Sequence, residues 1–114
     1  TSKILFNEWK LADDEEELTV MRVTIIGTHK QSNTKEKIVF DLHDEFDHDT
    51  KISSMARTTG YTATATVNYL LERGYGKNGV FPPEIISNDT DIWTYINKYL
   101  SSKNIQISEA VVNK

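Results

Sequence analysis

With 114 residues, 38% of them hydrophobic and 10% aromatic, the chain has material for one core and hardly for two, so a single domain over residues 1–114 is expected. Its formal net charge of -4 and pI near 5.3 argue against general binding to nucleic acid or to an anionic membrane, because neither phosphate surface would attract it. The absence of cysteine removes disulfides, a thiol nucleophile, Cys-ligated zinc and iron–sulfur clusters, and it fits a reducing cytoplasm.

The charge is uneven. Residues 1–50 hold 12 acids against 6 Lys and Arg, a net -6, whereas residues 51–114 hold 5 against 7, a net +2, so an anionic ligand is favoured in the second half. No run approaches the roughly 20 apolar residues of a membrane span, and no charged-then-apolar leader opens the chain, which suggests a soluble protein. A start at Thr1 without methionine, and a stop directly after a strand-like run, suggest a domain excised from something longer.

In chain order, Leu5 and Trp9 stand four apart beside Ile4 and Phe6, so residues 1–11 read as a short amphipathic helix. The acids from Asp13 to Glu17 follow without the glycine and spaced ligands of a calcium loop and read as a solvated linker. Residues 18–27 form a strand, with Met21, Val23 and Ile25 on one face and Arg22, Thr24 and Ile26 on the other. After a polar loop over 28–34, Glu36, Ile38, Phe40 and Leu42 alternate with Lys37, Val39, Asp41 and His43. This is a second strand, and the short loop predicts an antiparallel hairpin with both apolar rows on one face.

Asp41, His43, Asp44, Asp47, His48 and Asp49 crowd the end of that strand. These are ligand types for zinc, manganese or iron, but no spacing sets several of them on one rigid element, so the cluster reads as a surface turn and no metal is expected.

The stretch with most chemical content is Ser53-Ser54-Met55-Ala56-Arg57-Thr58-Thr59-Gly60. It places hydroxyls, a guanidinium and a glycine ahead of a helix expected over about residues 59–73, roughly 20 Å long. The first amides of a helix have no partner within it and suit an anion, so Arg57 and the amides of Thr58, Thr59 and Gly60 are candidates to hold a substrate carboxylate. The plainer reading is a capped helix start with a solvated arginine. Ala63, Val67, Leu70 and Leu71 are spaced as a buried stripe, and Gly74 as a left-handed C-terminal cap. Thr62, Thr64 and Thr66 are weak helix formers, which suggests that this end packs tightly or faces something polar.

Residues 74–79 are glycine-rich but follow a helix, so they read as a turn and not a phosphate loop. Pro82 and Pro83 force an extended path. Ile92, Trp93, Ile96 and Leu100 mark a further helix over about 90–102, capped by one of Ser87, Asn88, Asp89 or Thr90, and Ile105 and Ile107 mark a third strand within 104–112. The order predicts an α+β fold, an antiparallel or mixed sheet covered by helices. No Gly-x-Gly-x-x-Gly follows a strand, so the chain does not by itself build a dinucleotide-binding half.

Three blocks together, Glu17-Leu18-Thr19-Val20-Met21-Arg22-Val23, Ser54-Met55-Ala56-Arg57-Thr58-Thr59-Gly60-Tyr61 and Gly79-Val80-Phe81-Pro82-Pro83-Glu84, resemble the C-terminal catalytic and dimerisation region of the saccharopine dehydrogenase family over about residues 1–108. The resemblance implies a two-domain parent enzyme in which a Rossmann domain ahead of Thr1 binds NAD or NADP. This α+β domain would then enclose an amino-acid substrate, or its imine adduct, and contribute to a homodimer. It assigns no catalytic acid or base here, no cofactor to the fragment, and no activity to it alone. The alternative is a non-catalytic domain that associates with itself.

Overall fold

A computed structural model of the chain describes residues 12, 15–74, 79–88 and 90–113. The expected helix over 1–11, most of the glycine-rich turn and Asp89 lie outside the described residues.

Period-2 alternation produces the hairpin. Strand β1 (Leu18–Thr28) pairs antiparallel with β2 (Lys35–Glu45), setting Met21 opposite Leu42, Val23 opposite Phe40 and Ile25 opposite Ile38. The two apolar rows therefore share one face, as the alternation predicts. The connection is closed by the His29 amide on the Thr34 carbonyl and the Asn33 amide on the His29 carbonyl, with Asn33 at φ 53, a conformation that asparagine tolerates better than most residues. Strand β3 (Ile107–Asn113) joins the far side of β2, also antiparallel, with Ile107 opposite Leu42 and Val111 opposite Ile38. The sheet order is β1-β2-β3 and every pairing is antiparallel.

Helix α1 (Ser54–Arg73) begins five residues earlier than its composition suggests. Ser53 supplies the reason. Its backbone is extended, at φ -65 and ψ 148, and its hydroxyl accepts the Ala56 amide, so the helix is nucleated ahead of the threonines. Each of four threonines then turns its hydroxyl back onto the carbonyl four residues earlier: Thr58 onto Ser54 (2.9 Å), Thr62 onto Thr58 (2.6 Å), Thr64 onto Gly60 (2.9 Å) and Thr66 onto Thr62 (2.9 Å). Their hydrogen-bond donors are satisfied inside the helix, which lets weak helix formers sit there. At the other end Gly74 takes φ 69 and its amide closes on the Leu70 carbonyl.

The buried face of α1 differs from the expected one. Ser54, Arg57, Ala65 and Tyr69 are buried, whereas of the expected stripe Leu70 is half-buried, Ala63 is exposed, Val67 is 54% exposed and Leu71 78% exposed. Helix α2 (Pro83–Ile86) is one turn started by Pro83, whose fixed φ and missing amide suit a first helical position, in place of a fully extended Pro-Pro path. Helix α3 (Thr90–Ser101) buries Ile92 and Leu100 and keeps Ile96 packed on the core, while Trp93 meets Phe40 of β2 edge-on at 5.7 Å between ring centroids.

The core sits between the sheet and these helices. Leu42, Leu100 and Ile105 are its centre, with Tyr61, Ile96 and Ile107 against them. Each of the three buried aliphatic side chains contributes about 1.5–3 kcal/mol by leaving water. Among the described residues the core is small, and much apolar surface lies outside it. The Cα radius of gyration is 17.7 Å, against about 13 Å for a compact domain of this length.

Candidate functional site

The signature block occupies the first two turns of α1, and the fold divides its residues between two faces. Arg57 points inward, with only 7% of its side chain exposed. Its guanidinium forms a two-pronged pair with Asp44 at the end of β2, Nε to Oδ2 at 3.2 Å and Nη2 to Oδ1 at 3.3 Å. Nη1 also donates to Asp47 Oδ2, and Nη2 to the Lys103 carbonyl at 2.9 Å. Asp44 is itself buried, and Ser54, fully buried, donates its hydroxyl to the Asp44 carbonyl at 2.9 Å. One arginine thus fastens the start of α1 to the end of β2, to the following turn and to the α3–β3 connection. The neighbouring carboxylates raise the Arg57 pKa against the opposing effect of its burial.

Two of the helix-start amides are likewise occupied by side chains. Ser53 takes the Ala56 amide, and Glu17 reaches across from the foot of β1 to accept the Met55 amide at 3.1 Å. Because α1 starts at Ser54, the amides of Thr58, Thr59 and Gly60 fall inside the helical ladder. The Arg57 guanidinium and the amides of Thr58, Thr59 and Gly60 are thus engaged within the domain, the first by carboxylates and a carbonyl and the others by the helix itself. The depression of about 440 Å³ that Arg57 lines is also shared with Asp44, Glu45, Asp47 and Asp49, an acidic setting for a carboxylate ligand.

What the block offers outward is different. Met55, Ala56, Thr59 and Gly60 are exposed, and a Cβ built on Gly60 meets nothing within 4 Å. Ala56, Gly60, Ala63, Val67 and Leu71 follow one another at i, i+4, i+7, i+11 and i+15, an uncharged stripe on the side of α1 opposite Tyr61, Ala65 and Tyr69. Thr58 lies between the faces, half-buried.

The acidic turn is also explained. Asp41 is paired with Arg22 through two bonds of 2.6 and 2.9 Å, and Asp44 and Asp47 are paired with Arg57. Asp47 Oδ1 further accepts the amides of Asp49 and Thr50. Among the described residues no three His, Asp or Glu side chains are placed to hold a metal. Nor do these residues suit a dinucleotide pyrophosphate: the sheet lacks a parallel βαβ unit, and the one long helix start is filled by a serine and a carboxylate. Composition identified Arg57 as important but missed Glu17, Asp44 and Asp47 as its setting. The only local signal was their position at strand ends.

A three-stranded antiparallel sheet backed by helices, with the Ser-Met-Ala-Arg-Thr-Thr-Gly block opening its 20-residue helix, defines a small α+β domain. Residues 1–105 match the saccharopine dehydrogenase C-terminal domain, and the chain belongs to that family. No curated protein matches it.

Proposed function

We propose that this chain is the substrate-enclosing and subunit-interface domain of an NAD(P)-dependent, saccharopine dehydrogenase-like oxidoreductase acting on an amino acid or its imine adduct. NAD or NADP is held by a Rossmann domain elsewhere in the parent enzyme, and the fragment alone has no activity. The absence of cysteine fits a cytoplasmic setting.

The observation that carries this reading is the outward stripe of α1. A helix in the middle of a family match, polar and ionic on its inner side, exposes an uncharged row of small residues broadening to Val67 and Leu71. Such a row suits close approach of a second domain and exclusion of water from the cleft between them. Within the block, Thr59 and Gly60 face that cleft and meet the substrate. Arg57 and Thr58 hold them from behind.

The test uses Gly60→Leu in the parent enzyme. A Cβ at Gly60 meets nothing within 4 Å among the described residues and leucine is the better helix former, so the domain does not lose thermal stability, while an occupied cleft raises KM or lowers kcat on the order of tenfold or more. Unchanged steady-state constants overturn the placement of α1 at the cleft. The alternative, a non-catalytic self-associating domain, is favoured by the exposed apolar residues of β1 and requires a parent without nucleotide-dependent turnover.

A further inference from the structure

The outer edge of β1 is built like the middle of a sheet. Val20 and Ile26 are 65% and 77% exposed on one face, and Met21, Val23 and Ile25 are 40–50% exposed on the other. A strand apolar on both faces is characteristic of a sheet interior. Natural edges are blunted by lysine, proline or a bulge, and β1 has none of these over eleven residues. Its one charge, Arg22, is drawn toward β2 by Asp41 and so away from the open edge.

The hydrogen-bond phase of that edge is fixed. The Phe46 amide bonds the Glu17 carbonyl in the same register as the β1–β2 ladder. Odd-numbered residues of β1 therefore direct their peptide groups at β2, and even-numbered ones, among them Val20, Arg22, Thr24 and Ile26, direct theirs outward. Among the described residues no strand takes those outward groups.

We propose that β1 pairs with β1 of a second copy of this chain, antiparallel about a twofold axis through Val23, joining two three-stranded sheets into one. The proposal rests on the reading of this domain as a subunit interface and places that interface at one strand edge. Three constraints select the axis. A twofold perpendicular to the sheet must pass through a residue, so that each face continues into itself. Val23 is the midpoint of Leu18–Thr28, so all eleven residues pair. That register sets Met21 opposite the second copy's Ile25, Val20 opposite its Ile26 and Arg22 opposite its Thr24. Moving the axis to Arg22 opposes two guanidiniums, and moving it to Thr24 sets Met21 against Gly27 and Val20 against Thr28, losing the apolar cross-strand pairs.

The test exploits the absence of cysteine. In this register the two Val23 residues form a non-hydrogen-bonded pair with Cα atoms about 4.5 Å apart, within disulfide reach. Oxidised Val23→Cys is expected to form a covalent dimer on the order of 100-fold faster than Val67→Cys, whose thiol meets its twin only by collision. A mixture of Met21→Cys and Ile25→Cys should cross-link where neither does alone, which keeps the test alive if Val23→Cys misfolds. Thr24→Pro removes an outward amide that β2 does not use, and it should yield a monomer by light scattering with unchanged circular dichroism. Equal cross-linking at positions 23 and 67, or a Thr24→Pro dimer, overturns the edge pairing. If the wild-type chain is a dimer without the Val23 cross-link, the subunit-interface reading survives and this one falls. A monomeric wild-type chain removes both.

Discussion

Arg57 shows how a residue conspicuous for ligand binding becomes a fastening. Its guanidinium is enclosed by Asp44, Asp47 and the Lys103 carbonyl, so removing it leaves a buried carboxylate without its counter-charge. Arg57→Ala is therefore expected to lower stability by about 3–5 kcal/mol in urea unfolding. Arg57→Lys should recover little of it, because an ammonium cannot make the two-pronged contact. A variant as stable as wild type would show that the arginine is not structural. The same network sets a pH dependence. The Thr50 amide foremost, then the Asp49 amide, a further Thr50 contact and the Arg57 charge hold the Asp47 carboxyl below the usual carboxylate range, against some desolvation. Arg22 does the same for Asp41 through its hydrogen bonds. A carboxyl whose folded pKa is depressed adds stability that is complete above its unfolded value of about 4 and is lost as pH falls through the folded value. The chain should thus lose stability on acidification below about pH 4, and Asp47→Asn should flatten that acid limb. An identical pH profile for the two proteins would exclude Asp47 from the linkage.

At the scale of elements, the strands were legible and the orientation of the main helix was not. Alternation in Met21-Arg22-Val23-Thr24-Ile25 and Ile38-Val39-Phe40-Asp41-Leu42 restricts the hairpin to registers that keep both rows on one face, and the short connection closed between His29 and Thr34 selects the one adopted. Helix α1 has two stripes at helical spacing. Ala63, Val67 and Leu71 are more apolar by composition than Ser54, Arg57, Tyr61, Ala65 and Tyr69, yet the second set is turned to the core. Periodicity reports that a face exists and is silent on which of two faces the sheet will take. That choice was made by partners distant in sequence, Asp44 and Lys103 for Arg57 and Tyr95 for Tyr69, whose rings meet at 5.4 Å. The helix start was misjudged for a related reason. Threonine-rich turns are poor helices in isolation, and their hydroxyl back-bonds together with the Ser53 and Glu17 caps compensate only once the fold brings Glu17 near.

For the whole molecule, the balance of covered and uncovered surface is the governing quantity. Among the described residues the core centred on Leu42, Leu100 and Ile105 is slight, while Val20, Ile26, Val67 and Leu71 each remain more than half exposed. Two of these lie on the β1 edge strand and two on the outward stripe of α1, so the apolar surplus includes two separate patches, with Val80 and Val111 exposed elsewhere. A domain so divided draws part of its stability from what covers it, and any partner that binds the folded chain alone raises its melting point by mass action. If the β1 edge is covered by a second copy, the midpoint must depend on the chain's own concentration. Each tenfold increase supplies about 1.4 kcal/mol per dimer. Shared between two chains of this size, that moves Tm upward by about 3–5 °C. Scanning calorimetry over a hundredfold concentration range is expected to show a rise of about twice that. The Thr24→Pro chain, with its edge blocked, should melt at a lower temperature that does not change with concentration. A wild-type midpoint independent of concentration would mean that the β1 edge stays open in the isolated chain, and the pairing of two copies would fall.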